Sequence, residues 1–307
     1  MQNQIDTVCH NGTYNRLIML ASVIRLAKKS NRKINAIWTL TLGRSTIRYF
    51  GDRCNFYEMF QPIEDMTVDG ANGNNATVYH FKYWEELDHI IDIQKSGNIF
   101  IDFALYSIVS KEDKSDIFTN LKRYICIPQE VKFDAVGEEI GEVLRTQFKP
   151  IKELQNEIDR VHKTFFKKMV ACHIRSTDGG FTEYNWTAIL KKLIDNCKKW
   201  AGKSPDHGVF LATDDPEIYI KFAIALGNKL IFYIPPTVLC GCRADNKFGN
   251  DKYNVLCGVI ESWLLSKTNE YLIGTAQSTF SMGAMLMADK NVKKFMIDSP
   301  ENIPNLD

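Results

Sequence analysis

Val170-Ala-Cys-His-Ile-Arg-Ser-Thr-Asp178 and Val209-Phe-Leu-Ala-Thr-Asp-Asp-Pro216 are two short apolar runs that stop abruptly at polar and charged residues. Each has the pattern of a buried strand, and in open α/β sheets ligands bind in the crevice outside the carboxyl ends of such strands. Tyr271-Leu-Ile-Gly-Thr-Ala-Gln-Ser-Thr-Phe280 repeats the pattern, with a glycine and a hydroxyl-rich turn ahead of another helix. Strand ends of this kind within one half of the chain point to one pocket.

Outward from these runs, apolar spacing predicts strands at 169–174, 208–213, 229–233, 270–274 and 293–298. They alternate with helices at 186–200, 216–226, 253–266 and 279–288, and a loop covers 235–251. The first half opens the same way, with a strand at 5–9, a helix at 15–29 and a strand at 33–39. Leu17, Leu20, Ala21, Ile24 and Ala27 recur at steps of three and four, marking one buried helical face. Residues 43–80 are rich in Gly, Asn and Asp and are expected to form an irregular, exposed insertion. A helix near 84–93, a strand at 98–103 and a helix near 111–121 follow. The stretch 134–168 is largely helical and is broken by Pro150 at about Lys149. The expected fold class is α/β, with two Rossmann-like βα-repeating domains at 1–150 and 151–307 and a cleft between them.

The chain of 307 residues, 45% of them apolar, is long enough for two cores. Thirty-eight Lys and Arg against 37 Asp and Glu leave a net charge of +1. That balance argues against a nucleic-acid partner or an acidic membrane surface and leaves any anion to local arginines. No apolar run approaches the roughly 18 residues of a membrane helix. The opening Met1-Gln-Asn-Gln-Ile-Asp6 lacks the parts of a signal peptide, so a cytoplasmic protein is expected. Eight cysteines are scattered along the chain and fit buried free thiols. Cys240-Gly-Cys242 has no second Cys or His pair to complete a tetrahedral site, so no metal is expected there.

Arg175 follows His173 by two places, so both side chains belong to one face of a strand. Its guanidinium fits a fork for two phosphate oxygens or an ion pair with Asp178. Ser278 and Thr279 stand where a helix begins, a position suited to binding an anion or simply to capping. Asp214 and Asp215 precede Pro216, so one of them fits an N-cap; no Asp-X-Asp occurs to favour a hard cation. Glu261, in the apolar helix around Gly258-Val-Ile-Glu-Ser-Trp-Leu-Leu265, needs either a ligand contact or an internal hydrogen bond. Asp178 and Glu183 sit on a glycine-containing loop, either solvated or within reach of a substrate hydroxyl as a base.

In order and spacing, four segments between about residues 165 and 290 resemble the α1,6-fucosyltransferase-like group of sugar transferases. They are His173-Ile-Arg-Ser-Thr-Asp178, Leu211-Ala-Thr-Asp-Asp-Pro216, Gly258-Val-Ile-Glu-Ser-Trp-Leu-Leu-Ser266 and Ile273-Gly-Thr-Ala-Gln-Ser-Thr-Phe280. The group includes rhizobial chitooligosaccharide enzymes and animal core fucosyltransferases, with protein O-fucosyltransferases more distant. Asn11-Gly-Thr-Tyr-Asn-Arg16 resembles the loop that opens their first domain. The resemblance implies a GT-B-like architecture, a GDP-fucose donor on the second domain, a glycan acceptor, inversion, and neither a metal nor another cofactor. It puts Arg175 on the diphosphate, His173 and Glu261 at the nucleoside, and Ser278 and Thr279 at the phosphates. Asp214 and Asp215 then shape the donor site, Arg16 or Arg243 substitutes for the cations missing at Ser176 and Gly179, and Glu183 stands where the family's proposed base lies, with Asp178 a second carboxylate on the same loop. Ser176 and Gly179 replace an arginine and a lysine of the family pattern, which leaves GDP-rhamnose or another nucleotide sugar open, and equally a binding protein without catalysis.

Overall fold

The computed structural model describes residues 3–8, 12–38, 54–70, 77–81, 99–103, 130–133, 135–176, 185–243, 252–276 and 278–306. The chain divides into two compact units. One comprises Met1–Leu121, Ala135–Leu154 and Thr237–Cys257; the other comprises Lys122–Asp134, Gln155–Pro236 and Gly258–Asp307. The chain passes between the units at 121, 134, 154, 236 and 257, so neither unit is one continuous stretch.

In the first unit β1 (Gln4–Val8), α1 (Thr13–Ser30) and β2 (Lys33–Ile37) form the βαβ start. With β3 (Met66–Val68), β4 (Thr77–Phe81) and β5 (Ile99–Phe103) they build a parallel sheet in the order β3-β2-β1-β5-β4. Asn31 ends α1 in the left-handed region at φ 50°, a conformation its short polar side chain tolerates. α1 is buried on all sides from Arg16 to Ala27 rather than on one face. One of its other sides meets α2 (Ala135–Gln147), where Arg25 Nε lies 2.7 Å from Glu139 Oε2.

The expected irregular insertion is corrected over residues 54–70, which fold into a short 3-10 turn at Phe56–Glu58 and the strand β3. Asn55 caps the turn, and Phe56, Met59, Phe60, Ile63 and Met66 are buried. Phe60 stacks edge-on against Phe148 at 5.8 Å, and Phe56 against Trp38 at 5.3 Å. Five buried apolar side chains outweigh the Gly, Asn and Asp that made the segment look like loop. Residues 39–53 and 71–76, and the helices expected near 84–93 and 111–121, lie outside the described residues.

Pro150 separates α2 from α3 (Lys152–His162), as its missing N–H requires. The second unit follows with β6 (Lys168–Ile174), α4 (Trp186–Gly202), β7 (His207–Thr213), α5 (Pro216–Leu226) and β8 (Leu230–Phe232). The expected loop at 235–251 contains a tight hairpin of β9 (Val238–Leu239) and β10 (Cys242–Arg243), turned by Gly241 at φ 74°. After α6 (Lys252–Ser266) the second unit closes with β11 (Tyr271–Thr275), α7 (Thr279–Met287) and β12 (Lys293–Ile297).

Its sheet is parallel throughout, in the order β12-β11-β6-β7-β8. Val170, Cys172 and Ile174 of β6 join Val209 and Leu211 of β7 in a core with Ile189, Leu193, Ile218 and Phe222 of α4 and α5. Cys54, Cys172 and Cys197 are buried free thiols, whereas Cys240, Cys242 and Cys257 are half-buried. Among the described residues no helix is long and apolar enough to cross a membrane.

Replacing Phe60 by Ala is expected to lower the unfolding free energy by about 3–5 kcal/mol, through lost burial and the cavity left behind. Tyr57→Ala, at an exposed ring one residue from Phe56, serves as the control and should stay within about 0.5 kcal/mol. Urea denaturation of both variants checks the contrast.

Candidate active site at the carboxyl ends of the second sheet

From β6 the chain moves outward to β7 and β8, then returns to lay β11 and β12 on the other side of β6. The direction of winding therefore reverses between β6 and β11, and such a switch point opens a crevice at the strands' carboxyl ends. His173 pairs in register with Gly274, and Ile174 with Thr213, so the polar ends of all three quoted runs share one edge of the sheet.

The ends of β6 and β11 are tied together by Thr275. Its buried hydroxyl donates to the His173 carbonyl at 3.1 Å and accepts the Arg175 N–H at 2.9 Å. Arg175 itself is half-buried. His173 is buried, its Nδ1 lies 2.6 Å from Ser281 Oγ, and its ring packs 4.5 Å from that of Phe280. Burial, helped by the charge of Arg175, pushes the imidazole down to about 3, so the ring is neutral near pH 7. Gly274 permits this contact, because a Cβ there would stand 2.5 Å from Ser281 Cβ and 2.7 Å from its Oγ. Ser278 caps α7 and accepts the Ser281 N–H at 3.4 Å, while Thr279 is the first residue of that helix.

At the end of β7, Asp215 caps α5 by accepting the Glu217 N–H at 2.8 Å, with Pro216 at the first helical position. Its other oxygen accepts from Ser176 Oγ at 2.9 Å, and Asp214 accepts the Ser176 N–H at 3.2 Å. Both aspartates thus hold the chain leaving β6. On α6, burial and the negative charge of Asp214 push the Glu261 carboxyl up to about 8, although part of the residue still meets solvent. Among the described residues no group of three or more His, Cys, Asp or Glu is arranged to hold a metal ion.

No family model matches the chain, and no curated protein matches it in sequence. Solved structures do. The chain superimposes on the fucosyltransferase NodZ of Bradyrhizobium with a TM-score of 0.58 at 15% identity, over 98% of this chain and 97% of that one. For FUT1 of Arabidopsis thaliana in complex with GDP, the values are 0.54 and 12%, over 96% and 70%. For POFUT1 in complex with GDP-fucose they are 0.55 and 9%, over 95% and 97%. The chain has the fold of these fucosyltransferases.

Within this GT-B-like fold, His173, Arg175, Asp214, Asp215, Glu261, Ser278 and Thr279 all belong to the second unit. Arg16 belongs to the first, where its buried guanidinium lies 5.1 Å from the Trp38 ring centroid and donates to the Trp38 carbonyl at 2.8 Å. Asp178 and Glu183 lie outside the described residues. Two site residues escaped sequence reasoning: Thr275, which joins two strand ends, and Ser281, which holds His173. A hydroxyl at each position is visible in the sequence, but its partner lies about 100 residues away.

Asp215→Ala should cost about 1 kcal/mol through loss of the α5 cap, with Asp214→Ala costing less, and thermal melts rank the two. Glu261 gives stability a pH signature. The folded state keeps its proton from about 4.5 up to about 8, where the unfolded chain has lost it, so stability falls as pH rises through that window. Glu261→Gln is expected to flatten this fall between about pH 5 and 8; an unchanged slope in urea titrations would show that the carboxyl is not raised.

Proposed function

We propose that this protein is an inverting, metal-independent fucosyltransferase that moves fucose from GDP-fucose to a hydroxyl of a glycan acceptor. The observation that carries this reading is the switch point between β6 and β11, where Arg175 and the capped start of α7 meet at one sheet edge. An arginine at the end of β6, whose backbone is tied through Thr275 to the strand leading into α7, suits a nucleoside diphosphate through charge and forked hydrogen bonds, together with the helix dipole. The fold shared with fucosyltransferases solved with GDP or GDP-fucose supports the same assignment.

In the proposed reaction the acceptor oxygen attacks the anomeric carbon from the face opposite the nucleotide. A bond to that carbon forms as its bond to the β-phosphate oxygen breaks, and GDP leaves. Arg175 and the amides of α7, with Ser278 and Thr279, stabilise the charge growing on the diphosphate. His173 and Glu261 contact the nucleoside, and Asp214 and Asp215 shape the donor site through Ser176. Glu183, or Asp178 next to it in the same loop, takes the acceptor proton.

Ser176 favours a second reading. In place of an expected arginine, its hydroxyl is held by Asp215, so one cation of the family pattern is replaced by a neutral group. A different GDP-sugar, such as GDP-rhamnose, or binding without turnover fits that change.

GDP at 100 times its dissociation constant should stabilise the protein by about 2.7 kcal/mol, against smaller effects of UDP and dTDP at equal concentration. GDP-fucose should turn over with an acceptor glycan in the presence of a chelator, and Arg175→Ala should abolish turnover. Preferential stabilisation by UDP sinks the GDP assignment, turnover of GDP-rhamnose alone moves the donor, and binding without turnover across acceptors identifies a binding protein.

A further inference from the structure

Among the described residues, the His173 side chain is hydrogen-bonded on one side only. Its Nδ1 meets Ser281 Oγ at 2.6 Å, while Nε2 makes no hydrogen bond with the described residues. Ser281 is itself buried, and among the described residues His173 Nδ1 is the one side-chain partner of its hydroxyl. Ser22 in α1 behaves in the usual helical way, donating to the Ile18 carbonyl four residues earlier at 2.8 Å. Among the described residues the Ser281 hydroxyl makes no such backbone bond, so its proton has the imidazole nitrogen as its acceptor there.

That asymmetry decides the tautomer. A neutral imidazole carries one proton, on Nδ1 or on Nε2. With the proton on Nδ1, the ring would donate to Ser281 Oγ and the serine's own proton would be buried without an acceptor, which is costly. With the proton on Nε2, Ser281 donates to a bare Nδ1, and the ring proton sits on an atom that is not among the fully buried polar atoms lacking a partner, where solvent or a ligand can accept it. Gly274, in register with His173, leaves room for the hydroxyl beside the strand, and the Phe280 ring packs against the imidazole at a 31° tilt.

We propose that Ser281 is a positioning residue that locks His173 in the tautomer carrying its proton on Nε2, so that the ring presents a hydrogen-bond donor to an acceptor atom of the nucleotide. The tautomer follows from the protein alone; its use for recognition rests on the nucleotide site proposed above.

Nitrogen-15 NMR of the ligand-free chain, with the His173 signal assigned by its loss in His173→Gln, reads the tautomer directly. A bare Nδ1 and a protonated Nε2 are expected, with a mixture appearing in Ser281→Ala. A protonated Nδ1 in the unaltered chain overturns the proposal, whatever the nucleotide does. Calorimetry with GDP then tests recognition. Ser281→Ala should weaken binding about 10-fold when His173 is present. It should have no effect in the His173→Gln background, where the glutamine amide supplies a donor with no tautomer to set. Equal losses in both backgrounds reveal a packing effect and overturn the positioning role. Failure of the unaltered chain to bind GDP overturns the nucleotide half alone, leaving the tautomer to the NMR result.

Discussion

The close approach of α7 to β11 is the constraint on which the candidate site depends, and it exists because Gly274 has no side chain. A methyl group there would overlap Ser281 and push the helix away from the sheet. At the distance glycine allows, Ser281 reaches His173 on the neighbouring strand and Ser278 caps the helix above the strand end. One residue further, Thr275 bonds to both sides of the β6 terminus and fixes where the backbone of Arg175 leaves the sheet. The helix amino end, the imidazole and the backbone that carries the guanidinium are therefore located by one short stretch of β11.

Charge at this edge is managed by burial as much as by pairing. His173 stays neutral because burial and the adjacent arginine both oppose its protonation. Glu261 is pushed toward its neutral form by burial and by Asp214. Asp215 uses one oxygen for the α5 cap and the other for Ser176, so a residue that holds a helix start also holds the chain beyond β6. Arg175 is the positive side chain among the described candidate residues of the second unit, in keeping with an anionic ligand.

Much of this was legible in the sequence, for identifiable reasons. The strands and helices of the second unit follow from runs of apolar residues ended by caps, and both caps, Asp215 before Pro216 and Ser278 before Thr279, are local signals. Residues 54–70 were misread because turn-forming residues crowd around Phe56, Phe60 and Met66, whose burial depends on Trp38 and Phe148, distant in the chain. α1 looks one-sided in sequence because its polar Arg16, Ser22 and Arg25 interrupt the apolar pattern, yet all three are buried, Arg16 and Arg25 through contacts with Trp38 and Glu139 and Ser22 through the Ile18 carbonyl of its own helix.

By itself the sequence determined where the second unit forms its main strands and helices, and that polar and charged residues gather where those strands end. Periodicity, glycine turns and caps act over a few residues, so they can be read along the chain. Only the tertiary structure decided that β11 lies beside β6, with Thr275 and Ser281 brought to Arg175 and His173 from about 100 residues away. Parallel pairing of buried strands has no local signature; it is selected by how the whole sheet packs against its helices.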